Sequence, residues 1–184
     1  MDGMYSLFTH RHNFAVWAAA RASQRGFTTV SNLKAALEAS KLPLVIQNPS
    51  EWPACAEQFD SFHRLYCGRI VDYLTTGGVT NVPYGRAAKL MAVYLKSMIV
   101  VSEHARSTFA AIIHPPVDRS LLQNLARDRR FDQKLRHHWR NLNWTGLSGV
   151  DYFALINEFR RNGLDKPEFW MLERYWDPTR EVQA

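Results

Sequence analysis

The stretch "VPYGRAAKLMAVYLKSMIVVS", residues 82–102, decides the fold. A turn marked by Pro83 and Gly85 feeds a segment that is apolar almost all round. A surface helix keeps a polar face. A helix without one belongs at the centre, with other helices around it. Two lysines interrupt the segment, Lys89 and Lys96. Seven residues separate them, almost two turns, so they share a face about 10 Å apart. Lysine is rarely buried without a partner. Either both ammonium groups reach solvent along one stripe, or the helix holds an amine near a carboxylate.

Outward from this segment, no period-2 strand signal of any length is found, and the dominant period is helical. "NFAVWAAARASQRG" is alanine-rich and stops at Gly26. "TVSNLKAALEAS" offers Ser31 as a cap, with Leu33 and Leu37 on one face. "LPLVIQNPSEWPAC" reads mostly as loop, and "EQFDSFHRLYCGRIVDYL" sets Phe59, Phe62, Tyr66 and Tyr73 broadly on one side. "RDRRFDQKLRHHWRNLNW" is a basic helix or helix pair, and "GVDYFALINEFRRNG" is amphipathic and ends at Gly163. "KPEFWMLERYW" is a short aromatic helix beginning near Pro167. The pattern predicts one all-α domain over residues 1–184, with about eight to ten helices in two lobes.

Composition bounds the function. With 46% hydrophobic and 22% charged residues the chain is an ordinary folded protein and not a disordered one. Lysine and arginine outnumber aspartate and glutamate by 23 to 17, a net charge of +6 that fits a polyanion partner. Cys55 and Cys67 match no zinc or iron–sulfur spacing and make no disulfide scaffold, so a reducing cytoplasm is the expected setting. The first residues show no apolar signal-peptide core, and the longest apolar stretch is too short and too charged to span a bilayer. The adjacent His137 and His138 point to different sides of a helix, and His10 and His12 are only a pair. No metal or other cofactor is expected.

A second stretch, "IIHPPVDRSLLQNLAR", residues 112–127, holds the carboxylate that Lys89 needs. Two prolines stop the chain, and Asp118 then caps an amphipathic helix, accepting bonds from the free amides at Ser120 and Leu121. Capping alone explains such an aspartate. The lysine-bearing helix upstream gives it a second use. Lys89 is expected in the first turn of its helix, where the dipole and partial burial both favour the neutral, nucleophilic amine.

"VPYGRAAKLMAVYLK" followed by "HPPVDRSLLQNLAR" resembles the helix–hairpin–helix DNA glycosylases, over residues 77–127. The wider separation of Lys89 and Asp118 is nearest the archaeal 8-oxoguanine glycosylase branch, and compact bacterial members also resemble anti-phage glycosylases. The hairpin has one glycine, Gly85, where family members often show two, and the iron–sulfur cysteines of some relatives are absent. The resemblance implies that the protein acts on double-stranded DNA carrying a modified base, as a monomer and away from membranes. It implies an essential carboxylate at Asp118 and, in bifunctional members, an amine nucleophile at Lys89. Water is the alternative nucleophile.

The resemblance also places DNA contacts at Gly85, whose hairpin grips phosphates through backbone amides, and at Arg86, Lys96 and Arg119. The basic run adds Arg127, Arg129, Arg130 and Arg140, either as a phosphate strip or as an ordinary solvated face. An extruded base needs a pocket with aromatic walls and a few polar readers. "THRHNFAVW" offers His10, Arg11, His12, Asn13 and Trp17, and "EFWMLERYW" offers Trp170, Glu173 and Trp176. Of these, His10, Arg11, Asn13, Trp17 and Trp170 are the base-binding candidates, with a core role as the alternative for the tryptophans. Three functions remain open: a glycosylase, a DNA-binding protein of the same fold without catalysis, and an unrelated helical interaction module. Within the first, glucosylated hydroxymethylcytosine of phage DNA is favoured over 8-oxoguanine.

Overall fold

The apolar segment does form the central helix. In the computed structural model, which describes residues 5–176, the secondary structure is helical throughout and no strand is present among those residues. The helices are α1 (Leu7–Gln24), α2 (Val30–Ala39), α3 (Leu42–Ile46), α4 (Ala56–Thr76), α5 (Tyr84–Leu95), α6 (Thr108–Ile112), α7 (Arg119–Leu125), α8 (Gln133–Asn141) and α9 (Gly149–Arg161). Short 3-10 turns cover Pro49–Glu51, Trp144–Gly146 and Phe169–Tyr175. The segment expected as loop after Lys41 therefore contains α3 and one 3-10 turn, because Pro43 sits in the first turn of α3, where its missing N–H costs nothing. The cap of α2 is Thr29 rather than Ser31, since the Thr29 hydroxyl accepts from the Asn32 amide.

Helix α5 packs against α1, α4, α9 and the Trp144–Gly146 turn. Only Tyr84, Arg86 and Val93 within it escape full burial. Directly after α5, Lys96–Val100 winds as a π turn, with the Val101 amide donating to the Lys96 carbonyl at 3.0 Å. Such turns often mark functional sites. The buried side chains form one continuous cluster from Ala15 to Leu172, so the core does not divide into the two lobes expected from the sequence.

Gly85 is where α5 touches its neighbour most closely. Its amide donates to the Leu147 carbonyl at 3.0 Å, and a Cβ there would stand 2.2 Å from the Trp144 carbonyl oxygen. The glycine expected to grip phosphate is thus buried, and its amide is used inside the fold. Gly85→Ala should force α5 away from the Trp144 turn, at a cost of about 2 kcal/mol. Thermal unfolding should then fall by ~4–8 °C for a chain of this size. An unchanged Tm would show that the contact can relax.

Candidate active site

Asp118 is the N-cap of α7, with extended backbone at φ −147° and ψ 179°. Its Oδ1 accepts from the Leu121 amide at 3.0 Å, and its Oδ2 accepts from Lys89 Nζ, also at 3.0 Å. One oxygen is thus fixed by the helix end, and the other faces the amine. Lys89 is 7% exposed and Asp118 14%, so the pair is shielded but not sealed. The ammonium also lies 4.8 Å from the centre of the Trp144 ring.

Burial pushes the Lys89 amine below the usual lysine range. Asp118 opposes that shift, and the Arg25 and Arg86 charges reinforce it. Lys89 is the sixth residue of α5, in its second turn and not its first. The helix dipole fades within the first turn, so burial and not the dipole favours the neutral amine.

Lys89 and Asp118 open into a cavity of about 410 Å³, whose wall also includes Phe14, Lys96, Glu173 and Trp176. Lys96 bonds to Glu173, and its Nζ lies 4.9 Å from the centre of the Trp176 ring. Burial raises the Glu173 carboxyl, the Lys96 contact opposes this, and the Asp118 charge raises it further. Beyond this pair lies a second recess of about 540 Å³, bordered by Lys96, Glu173, Val101, Trp170, Met171 and Arg174.

The other sequence candidates separate. Trp170 borders the second recess, not the first, and its Nε1 donates to Glu168 at 2.5 Å. His10, Asn13 and Trp17 are exposed on α1 outside the cavity wall, and His10 bonds to the Tyr5 hydroxyl at 2.9 Å. Arg11 faces another hollow and pairs with Glu103 at 2.5 Å. Around Lys89 and Asp118 the cavity wall is instead made by Phe14 at the exposed edge of α1, by Glu173 in the last 3-10 turn and by Trp176 just after it.

Among the expected DNA contacts, Arg86 is turned into the fold. Its guanidinium donates to the Ser23 carbonyl at 2.9 Å and lies 5.4 Å from the Trp144 ring centre. Lys96 is committed to the cavity. Arg130 is held by Asp128 at 2.7 Å, and Arg127 bonds to Asn124 at 2.9 Å. Arg119, Arg129 and Arg140 are exposed. Among the described residues no group of three His, Cys, Asp or Glu side chains is placed to hold a metal ion. None of those residues forms a helix long and apolar enough to cross a membrane.

Sequence reading missed the anchor of the Asp118 segment. His114 is buried, with Nε2 3.1 Å from Asp60 Oδ1 and Nδ1 3.2 Å from the Tyr152 hydroxyl. Arg160 grips both oxygens of Asp60 at 2.7 Å and holds that carboxyl ionised, well below its ordinary range, with help from His114 and against the cost of burial. Burial pushes His114 down to about 4, so it stays neutral. Its Nε2–H then donates to Asp60, and Nδ1 accepts from Tyr152. Next to it, His63 stacks on Tyr152 with ring centres 4.9 Å apart and bonds to the Tyr84 hydroxyl at 2.8 Å. Tyr84 opens α5. The helix of Lys89 and the segment of Asp118 therefore meet in one buried cluster. The signal in the sequence was His114 itself, a polar residue between apolar neighbours and two prolines.

No family profile matches the chain, and neither a curated protein nor a solved structure matches it.

Asp118→Asn keeps a good cap but leaves the Lys89 ammonium without its counter-charge. It should cost about 3 kcal/mol in urea unfolding, and adding Lys89→Met should recover most of that loss. Additive losses would show that the two groups are not coupled. The histidines give a pH dependence. His63 and His114 both titrate below their ordinary value of 6.5 in the folded protein. The unfolded chain takes up those protons first, so stability is full above that value and declines as pH falls towards 4. Below that window, protonation of Asp60 in the unfolded chain, while the folded carboxyl stays ionised, lowers stability further. Calorimetric Tm should fall over this window, and His114→Gln should make the fall shallower. A flat profile would contradict the neutral-histidine cluster.

Proposed function

We propose that the protein is a DNA glycosylase that excises a modified base. The observation that carries this reading is the Lys89–Asp118 pair, 3.0 Å apart on the wall of a cavity of about 410 Å³. That volume lies in the ordinary range for small-ligand sites. The α4–turn–α5 arrangement supports a helix–hairpin–helix element, with the DNA grip at the turn of residues 77–83, before the buried Gly85.

In this reading the target nucleotide leaves the stack and enters the cavity. The C1′–N bond breaks, its electron pair departs with the base, and the Asp118 carboxylate stabilises the cation developing at the sugar. Lys89, once its ammonium proton has passed to solvent, then forms a bond to C1′ and gives up a second proton to Asp118, or Asp118 takes a proton from water as its oxygen bonds there. The first route gives an imine after sugar-ring opening, and the second an intact abasic strand.

The favoured substrate is glucosylated hydroxymethylcytosine of phage DNA, which makes the activity antiviral. The second recess supports a base with a bulky substituent: it adjoins the cavity across Lys96 and Glu173, whose charged heads suit sugar hydroxyls. Incubation of the protein with glucosylated phage DNA should yield abasic sites, and unglucosylated DNA should not. Asp118→Asn should lower the yield at least ~100-fold, and borohydride should trap a covalent adduct only if Lys89 is the nucleophile. Abasic sites from an 8-oxoguanine duplex alone would replace the substrate. Full activity in Asp118→Asn would reject the mechanism.

A further inference from the structure

Helix α1 leaves three large apolar side chains in solvent. Leu7, Phe14 and Trp17 are 70%, 57% and 49% exposed, at a spacing that puts them on one outward stripe. The Phe14 and Trp17 rings lie 6.0 Å apart, tilted by 39°. Isolated exposed apolar residues are ordinary. An aromatic pair beside a cavity is a recognition feature.

Phe14 belongs to the stripe and to the cavity wall at once, with Ala18 and Ala22 of the same helix. Val101 and Trp176, 66% and 38% exposed, continue the apolar rim from other elements of that wall. Helix α1 carries no aspartate or glutamate, and Arg21 follows Trp17 by one turn, exposed. Flat apolar rings next to a cation, with no carboxylate on the helix, suit a nucleic-acid strand, whose bases stack and whose phosphates repel acids.

We propose that Phe14 and Trp17 form the stacking surface that fills the place of the extruded base in the duplex. The inference rests on the glycosylase reading of the cavity. A base drawn into that cavity leaves a gap in the stack at its mouth, and a rigid aromatic side chain at the rim fills such a gap. Trp17 thus acts on the duplex rather than on the base, which explains its place outside the cavity wall.

The test is binding of the full chain to two duplexes of one sequence, one fully paired and one with a single tetrahydrofuran abasic analogue. Wild-type protein should prefer the gapped duplex by about tenfold. Phe14→Ser with Trp17→Ser should remove that preference to within about twofold. Phe14→Leu with Trp17→Leu keeps apolar packing but removes the rings, and should do the same. Absence of a preference in wild-type protein overturns the proposal, as does a preference that survives in both variants or an equal loss on the two duplexes. Failure to form abasic sites in both phage DNA and the 8-oxoguanine duplex instead rejects the glycosylase reading, and leaves the binding comparison intact.

Discussion

The Lys89–Asp118 contact is the constraint around which this protein is arranged. A lysine that is 7% exposed tolerates its position only with a counter-charge at hydrogen-bonding distance. Asp118 cannot move to meet it, because its other oxygen is bound to the Leu121 amide. The amine must come to the carboxylate, which means that α5 has to be held at one height and one rotation. An ion pair of this kind contributes little net stability, since desolvation offsets most of the attraction. It demands placement, and the surrounding packing supplies that placement.

Two devices do so. At the start of α5, Gly85 lets the helix approach the Trp144 carbonyl more closely than any side chain allows, and its amide fastens the approach through Leu147. On the Asp118 side, His114 is tied to Asp60 and Tyr152 in the interior, with Pro115 and Pro116 stiffening the short run to the cap. His63 bridges the two through Tyr84 and Tyr152. The polar atoms of this cluster find partners within it, as buried polar groups require. The cavity beside the ion pair gains its other charged pair, Lys96 and Glu173, where the π turn begins at Lys96.

The helical class, the burial of α5 and the cap at Asp118 were legible because each is a local pattern. An apolar segment without a polar face has one stable location, and an aspartate before an amphipathic run has an obvious set of amides to accept from. The pairing of Lys89 with Asp118 was anticipated from the order of the segments, and the 3.0 Å contact gives it a distance. The aromatic neighbours were harder. Trp17 and Trp170 looked like pocket walls, yet the pair is surrounded by Glu173 and Trp176, which the same C-terminal segment offered, and by Phe14, which the sequence did not single out. Periodicity assigns residues to faces of a helix but does not say which face meets which neighbour.

Sequence by itself determined that this chain is helical, that one helix is central, and that Asp118 caps α7, since propensity, period and capping act over a few residues. Tertiary structure decided the rest. Gly85 and Arg86 became packing residues instead of surface ones because the Trp144 turn, some sixty positions later, folds against them. Lys89 lost its place at the helix dipole once Pro83 fixed where α5 begins. His114 acquired Asp60, and through it Arg160, from other helices. Each of these depends on contacts between residues far apart in the chain, and burial, which sets the charge state of every buried group involved, exists only after those contacts form.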